Sequence, residues 1–361
     1  MTNDPALVGK LVTLFNKTPS QELVTNLSVT MQLQRFGGTD YPVSISDPPN
    51  CYICCPSMAY LDYAIEETRH FTANPVLQKS LNALISACRP LMRATGLDHQ
   101  VQVNNWLFST NPVPLIDLQT ATEIRDELSA AHPARAVVIR SLNDIADVQS
   151  MAALTQAGFF LLPARQIYVV DHTRPKPASV DMKRDRKLLE KTEYTLSGAD
   201  TFSASDWTRA TALYHMLYVD KYTALNPQYT PGFLAQGHQI GLLRIIGLRG
   251  RDGILDGVAG MFQNGKTMTV PLIGYDTAKP QELGLYRMLN AIAQRRAAQS
   301  ASFYNLSAGA AGFKRHRNGV PAIEYTAVYV GHLGLKARSA TRLVQLILTH
   351  VGVPLLQRFA L

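Results

Sequence analysis

The sequence predicts an α/β fold, mixed with α+β character, in which two tandem domains each form a mixed, mostly antiparallel sheet flanked by helices. In both halves, strand-like apolar runs alternate with apolar residues at helical spacing. In the second half, Asp252-Gly253 and Asn264-Gly265 are typical of tight turns between antiparallel strands. Residues 172–177 carry two prolines and alternating charge, as linkers do. Three segments are therefore expected: a first domain at 1–178, a second at 179–333 and an amphipathic helix at 334–361.

The first half shows a pattern that becomes regular after about residue 100. A weak helical face carries Leu7, Leu11, Leu14 and Phe15. Residues 51–55 indicate an apolar strand in which the thiols act as small core residues. The remaining predictions are helices at 58–71, 75–93, 120–131 and 144–157, and strands at 101–108, 136–140, 159–162 and 166–170.

The second half repeats the same order of elements, and a very basic helix at 182–191 opens it. Strands are predicted at 194–196, 241–249, 257–263, 266–275, 303–306 and 322–330. Helices are predicted at 205–221, 284–299, 310–314 and 335–347. The repeated order suggests that one fold occurs twice, although the two halves share no repeated sequence.

Composition places the chain among ordinary globular proteins, since 46% of its residues are hydrophobic and 17% are charged. A net charge of +8 favours acidic partners, such as nucleic acid, anionic lipid or a phosphorylated cofactor. The first residues do not resemble a signal peptide, and the apolar run at 343–356 is expected to be too short and too polar to span a bilayer. A cytoplasmic location is therefore expected.

Metal and hydrolase motifs are not found in the sequence. Cys51 and Cys54 have C-x-x-C spacing, but no second such pair or nearby histidine pair accompanies them. The sequence also has no H-E-x-x-H motif and no phosphate-binding Gly-Lys-Ser loop. We therefore expect no metal cofactor.

Five motifs in the second half resemble those of a known superfamily. They are Tyr275-Asp276, Gly284-Leu-Tyr-Arg-Met-Leu, Phe303-Tyr-Asn-Leu-Ser-Ala-Gly, Phe313-Lys-Arg and Val320-Pro-Ala-Ile-Glu-Tyr. With the order of elements, they resemble GNAT acyltransferases, and specifically the tandem-GNAT branch similar to the Fem-type (FemABX-like) aminoacyltransferases. The resemblance covers residues 192–333. It implies a C-terminal GNAT acyl-transfer domain and a degenerate GNAT-like N-terminal domain.

The resemblance departs from typical GNAT enzymes at the pyrophosphate loop. Those enzymes have an Arg/Gln-x-x-Gly-x-Gly/Ala loop, whose N–H groups face coenzyme A at a helix N-terminus. This chain has Ala278-Lys-Pro-Gln-Glu-Leu-Gly there, and only Gly284 occupies a comparable place. The donor is therefore open between acyl-CoA, a carrier-bound thioester and aminoacyl-tRNA.

The resemblance implies a donor site where two parallel strands, 266–275 and 303–306, splay apart. Candidate donor-binding residues are Gly284, Asn305, Ser307, Gly309, Lys314 and Arg315. Asn305 and Ser307 could instead cap the following helix, and the basic pair could instead be a solvated loop. Candidate catalytic residues are Glu324, Tyr275 and Asp276. Glu324 could act as a general base or as a salt-bridge partner.

An acceptor site is expected near the end of the helix at 205–221, where GNAT acceptors commonly lie. The candidate acceptor-binding residues are Tyr218, Asp220, Tyr222 and Tyr325. The alternative is that the tyrosines simply pack, with their hydroxyl ends exposed.

Three functions remain open from the sequence. The first is N-acyl transfer from an acyl-CoA or carrier thioester to an amine of a small metabolite. The second is aminoacyl transfer from charged tRNA, with the basic helix as an RNA track. The third is a catalytically degenerate GNAT-fold binding protein. A basic amphipathic tail helix could also make peripheral contact with a membrane.

Overall fold

Helices and strands alternate along the chain in a computed structural model that describes residues 6–71, 74–174 and 176–359. The strands are β1 (Thr30–Phe36), β2 (Thr39–Ser46), β3 (Gln100–Val103), β4 (Ala136–Asn143), β5 (Phe160–Asp171), β6 (Thr195–Gly198), β7 (Arg244–Arg249), β8 (Leu255–Asn264), β9 (Thr267–Tyr275), β10 (Phe303–Asn305) and β11 (Val320–Tyr329). The helices are α1 (Leu7–Lys17), α2 (Ser20–Leu23), α3 (Tyr63–Phe71), α4 (Pro75–Ala87), α5 (Arg89–Thr95), α6 (Leu118–Ala131), α7 (Val148–Gln156), α8 (Val180–Lys191), α9 (Ala204–His215), α10 (Pro231–Gln239), α11 (Leu285–Gln299), α12 (Ala311–Arg315), α13 (Leu335–Ile347) and α14 (Val353–Phe359).

The described chain forms two compact units that do not follow the predicted boundary. Unit 1 contains the described residues up to Thr25 together with Ile167–Ala322, and unit 2 contains Asn26–Gln166 together with the described residues from Ile323 onward. The sequence places boundaries after residues 178 and 333. The structure differs because the last strand of each sequence half is divided: most of β11 belongs to unit 2, and the end of β5 belongs to unit 1.

Unit 1 contains a mixed sheet in the order β5–β10–β9–β8–β7–β6. Strands β6 to β9 are antiparallel neighbours, β10 pairs parallel with β9, and β5 pairs antiparallel with β10. Helices α9 and α11 pack on β8 and β9. Gly274 permits this packing, because a Cβ there would lie 2.4 Å from the Leu213 backbone of α9. The predicted mixed, mostly antiparallel sheet is confirmed.

Unit 2 repeats this pattern with β1–β2–β3–β4–β11. Only the β3–β4 pair is parallel among these strands. One face packs Val101 and Ile139 against Ile124 of α6 and against α7. The other face packs Val328 against Met92 of α5 and against α13. In the sheet of each unit, two parallel strands connected through a helix lie beside an antiparallel strand from the other sequence half: β9 and β10 beside β5 in unit 1, and β3 and β4 beside β11 in unit 2. The predicted tandem arrangement is thereby confirmed.

Residues 51–55 do not form the predicted strand, and this interpretation was wrong. Tyr52–Cys54 is a 3₁₀ turn, closed by a hydrogen bond from the Cys54 N–H to the Cys51 carbonyl at 2.8 Å. Prolines at 48, 49 and 56 flank the run, and a proline cannot donate to a sheet ladder. The thiols are nevertheless buried as small core groups, and none of the four cysteines is in a disulfide.

Other differences are local. The predicted strands at 159–162 and 166–170 form one strand, β5. The strand predicted at 101–108 ends at Val103, because Asn104 has a φ of +59° and turns the chain. Helix α10 was not predicted.

The C-terminal helix is longer than the sequence predicts. A π-helical turn at Leu348–Gly352 joins α13 to α14, so one helical segment runs from Leu335 to Phe359. The segment has 25 residues, and its most apolar stretch has a mean hydropathy of 1.2. By length and composition alone, it could cross a bilayer. The expectation that this region is too short is therefore corrected, because the helix continues past Gly352 and Pro354.

Candidate functional site

A fork between β9 and β10 forms the centre of the candidate site in unit 1. The two strands pair in parallel over only three residues, from Phe303 opposite Thr267 to Asn305 opposite Thr269. β9 then continues to Tyr275, while the chain after Asn305 turns towards β5. There the Leu306 N–H donates to the Tyr168 carbonyl at 2.8 Å. The predicted parallel pairing of these two strands is confirmed, and it ends at Asn305.

The loop after β10 is held in an unusual backbone conformation. Ser307, Gly309 and Ala310 have φ values of +61°, +78° and +50°. The Asn305 side-chain oxygen accepts a hydrogen bond from the Ser307 N–H at 2.8 Å. Neither Asn305 nor Ser307 caps α12, because the residue at its N-cap is Ala310, which makes no side-chain cap bond. The capping alternative is therefore excluded, and Asn305 shapes the floor of the fork instead.

The Lys314 side chain holds this loop through hydrogen bonds to its backbone. Its side chain is buried, with 3% exposure, so the pair Lys314–Arg315 is not a solvated basic loop. The Lys314 Nζ donates to the carbonyls of Ser307 at 3.1 Å and Ala308 at 2.7 Å. The guanidinium of Arg315, by contrast, is exposed and lies 5.7 Å from the centre of the Tyr168 ring. Lys314 is thus a positioning residue for the loop, and Arg315 is an exposed cation beside it.

An aromatic cluster surrounds the open end of the fork. Tyr275, at the end of β9, lies 6.0 Å from Tyr286 in the first turn of α11, between ring centres. Tyr286 in turn lies 4.9 Å from Phe313 of α12. Burial raises the pKa of Tyr286 to about 12, and the neighbouring Tyr222 adds to this shift. Tyr286 therefore keeps its proton at neutral pH and can act as a hydrogen-bond donor.

The predicted acceptor residues reach this cluster from the end of α9. Tyr218 stacks on Tyr214 at 5.1 Å and lies 6.2 Å from Tyr222. The Tyr222 side chain is 39% exposed, and Asp220 is exposed at the end of the π-helical turn Met216–Asp220. Tyr218 packs against the same apolar core as Tyr275 and Tyr286, so within unit 1 the end of α9 lies beside the aromatic cluster.

Gly284 opens α11 next to this cluster. Its φ of +67° and its close approach to Leu188 require glycine, since a Cβ would lie 2.5 Å from the Leu188 side chain. The first-turn N–H groups of α11 have no helical partners and carry the positive end of the helix dipole. This end could receive an anionic part of a ligand.

Asp276 is held in an ion pair near the same strand end. Its carboxylate accepts from Arg209 at 2.7 Å and from the Ala278 N–H at 2.9 Å. Burial alone would raise its pKa, but these hydrogen bonds outweigh burial and hold the pKa below its usual value. A carboxylate that binds its proton so weakly is a poor general base, so its predicted catalytic role draws no support from this geometry.

Glu324 and Tyr325 lie in unit 2, whereas all the other candidates lie in unit 1. The buried Glu324 carboxylate accepts from Arg165 Nε at 2.8 Å and from Arg165 Nη2 at 3.2 Å. Arg165 also donates to the Ser109 carbonyl and to the Thr110 hydroxyl. These contacts correspond to the salt-bridge alternative for Glu324. Burial raises the pKa of the neighbouring Tyr325. The catalytic role of Glu324 stays a prediction.

Sequence reasoning missed two residues that organise the site. Asp185, the buried acid of the basic helix α8, binds Arg317 Nε at 2.6 Å and Arg287 Nε at 2.7 Å. Of the three acids in α8, Asp185 alone is buried, and an acid within the basic run at 183–187 was an available signal for such a role. Tyr168 supports the fork from β5, and no local pattern indicates this, because it depends on pairing between distant strands.

Within the described ranges, no group of three or more His, Cys, Asp or Glu side chains could hold a metal ion. The strand fork, α11 beside it and β5, which pairs antiparallel with β10, give unit 1 the arrangement of a GNAT-like domain. The same order in unit 2 makes the chain a tandem of two such domains.

No protein-family model matches the chain, and no curated protein matches it significantly in sequence. Solved structures do match. FemX is 9% identical with a TM-score of 0.48, covering 96% of this chain and 99% of that chain. A tandem GNAT protein from the clavulanic acid biosynthesis pathway is 11% identical with a TM-score of 0.39, covering 91% and 97%. L-PGS from Bacillus licheniformis is 14% identical with a TM-score of 0.45, covering 63% and 78%. At these identities the similarity concerns the fold alone.

Proposed function

We propose that unit 1 is the transfer domain of an N-acyltransferase, which moves an acyl group from an acyl-CoA or a carrier-bound thioester to an amine of a small metabolite. One observation carries the proposal: the β9–β10 ladder stops at Asn305, next to a loop that Lys314 holds rigidly. Such a fork leaves backbone N–H groups of β9 available to a donor carbonyl. Those groups can stabilise the oxyanion that forms when an amine attacks.

The reaction at this site needs few side chains. The neutral amine nitrogen attacks the thioester carbonyl carbon, a new C–N bond forms, the C–S bond breaks, and the thiolate leaves. A proton then passes from the attacking nitrogen to the departing sulfur, directly or through a hydroxyl. We assign this proton movement to the hydroxyls of Tyr286, whose high pKa keeps it protonated, and of the partly exposed Tyr222. The first turn of α11 and Arg315 would hold anionic groups of the donor.

The test uses the full-length chain and measures thiol release from a panel of acyl-CoAs and amines. Mass spectrometry of co-purified ligands selects the donor to begin with. We expect Asn305→Ala to lower kcat/KM by about tenfold or more, because it removes the hydrogen bond that shapes the fork. Asn16→Ala, at an exposed position on α1, is the matched control and is expected to change nothing. Tight binding of acyl-CoA without turnover of any amine would contradict catalysis and favour the binding-protein alternative.

A second candidate function, aminoacyl transfer from tRNA, is favoured by the surface of α8. Five basic side chains of this helix are exposed: Lys183, Arg184, Arg186, Lys187 and Lys191. Asp185 holds the helix against the first turn of α11 through Arg287. An RNA bound to this face would show affinity that falls steeply with salt, and the double variant Arg186→Gln/Lys187→Gln would reduce that salt dependence. RNA that is not retained at low salt would exclude this function.

A further inference from the structure

The surface of the C-terminal helix in unit 2 is exposed and apolar over most of its length. We call the continuous helical segment Leu335–Phe359 the tail helix. Only 17% of its most apolar window is buried. A row at four-residue spacing, whose members neighbour one another along the helix, consists of Leu335, Ser339, Leu343, Ile347, Val351, Leu355 and Phe359. All seven side chains of this row are exposed, and six of them are apolar. Six exposed apolar side chains in succession along one helix differ from the singly scattered apolar residues of an ordinary surface.

The charged residues of the tail helix itself are all basic. Between residues 325 and 359 the chain has no Asp or Glu, while Lys336, Arg338, Arg342 and Arg358 are exposed. Arg338 and Arg342 fall on the neighbouring row with Leu346, so cations flank the apolar stripe. An apolar stripe bordered only by cations is complementary to a surface that is apolar inside and anionic outside.

A second helix of unit 2 has the same character. Helix α4 exposes Val76, Leu77 and Leu84, and the described residues 74–97 contain no acid. Both α4 and α13 contact α5, so the two exposed helices belong to one part of the unit.

We propose that the tail helix, together with α4, docks unit 2 onto the surface of an anionic lipid bilayer. The helix would lie in the interface, with its apolar row among the acyl chains and its arginines among the lipid phosphates. It is not expected to span the bilayer, because Ala337, Ala340 and Val344 are buried on its other side, against the core that contains Met92 of α5. Crossing the membrane would uncover that core.

A second copy of the chain fits this surface less well than a bilayer does. Two tail helices facing each other would bring Arg338 and Arg342 of each copy together, with no acid on either helix to compensate. The proposal does not depend on the acyltransferase activity proposed above, because it concerns other residues in the other unit.

The experiment is vesicle co-sedimentation of the full-length protein. Phosphatidylcholine vesicles with about one-third phosphatidylglycerol are compared with pure phosphatidylcholine vesicles. We expect the unmodified protein to bind the anionic vesicles. The affinity of Arg338→Gln/Arg342→Gln for these vesicles is expected to be about thirtyfold lower, because each cation near the surface contributes to the attraction. The matched control, Arg184→Gln/Lys187→Gln on α8, removes the same charge elsewhere and is expected to bind as the unmodified protein does.

The apolar contribution is tested separately. Leu343→Glu/Leu355→Glu places acids in the exposed row and is expected to abolish sedimentation, whereas Leu115→Glu/Ile254→Glu, at equally exposed apolar sites elsewhere, is not. Circular dichroism checks that each variant is folded. The proposal is overturned if Arg338→Gln/Arg342→Gln binds the vesicles as well as Arg184→Gln/Lys187→Gln does, or if the protein dimerises through this row without binding vesicles. It is also overturned if alkaline carbonate fails to extract the protein from membranes, because that would indicate a spanning helix.

Discussion

Lys314 offers the sharpest test of the geometry, because its two interpretations predict opposite results. If it is a positioning residue, replacing it by methionine removes the donor that holds the loop after β10, whether or not a ligand is present. If it contacts donor phosphates, the same change leaves the free protein intact and weakens only donor binding.

The expected magnitude follows from the contacts of Lys314. The Ser307 carbonyl also accepts from the Tyr168 N–H at 3.2 Å, so it keeps one partner in the variant. The Ala308 carbonyl loses the shorter bond, of 2.7 Å. A hydrogen bond to a charged group contributes about 1.5–3 kcal/mol, and the cost of burying the ammonium offsets part of it. Lys314→Met is therefore expected to lower the free energy of unfolding by about 2 kcal/mol.

Urea denaturation without any ligand measures this change, with hydrogen exchange across residues 305–310 as a local readout. Arg315→Met is the matched control, because its side chain is exposed, and it is expected to change stability by less than about 0.5 kcal/mol. Equal stability of Lys314→Met and the unmodified protein, with a weakened donor affinity, would refute the positioning role.

Two further predictions concern buried carboxylates. Asp185→Asn leaves the buried Arg317 without its counter-charge, so it is expected to lower the free energy of unfolding by about 3–5 kcal/mol in urea denaturation. Asp181→Asn, at a partly exposed ion pair on the same helix, should lower it by less than about 1 kcal/mol. Equal losses of stability in the two variants would contradict the anchoring role of Asp185. Burial, which outweighs the hydrogen bond from the Asn143 N–H, raises the pKa of Asp147 to about 7. Because the folded protein holds this proton more tightly than the unfolded chain does, Asp147 lowers stability progressively as pH rises from about 4 to 7. Asp147→Asn should therefore be matched in stability at pH values near 4 and more stable than the unmodified protein above about 7, by up to about 4 kcal/mol, and an unchanged difference across a pH series of thermal melts would disprove the buried proton.

Much of the fold could be predicted because its signals are local. The turn at Asn264-Gly265 fixes the β8–β9 hairpin, and the spacing of apolar residues gives α11 almost to its ends. The parallel fork at Asn305 was also predicted, since it follows from the order of elements once their resemblance is recognised.

What could not be predicted depends on which strands pair. Periodicity identifies residues 322–330 as a strand, yet nothing in that strand indicates that Glu324 lies opposite Asn143 instead of beside β10. For this reason Glu324 was grouped with a site in another unit, and Tyr168 was not considered. The role of Lys314 was missed for a related reason: its partners are backbone carbonyls, which leave no trace in the side-chain sequence.

The division of β5 and β11 between the units has a consequence for how the molecule is made. Strand β5, which pairs with β10, is synthesised before the other strands of the unit 1 sheet. Strand β11, which pairs with β4, is synthesised after all the other strands. Asn143 of β4 can pair with Glu324 of β11 only after residue 324 has been synthesised. Unit 2 therefore cannot complete its sheet while its first segment, Asn26–Gln166, is being translated. Long-range pairing of this kind slows folding, because distant segments must meet before they are stabilised. It also means that a cut at the linker would yield two fragments, each carrying a strand meant for the other.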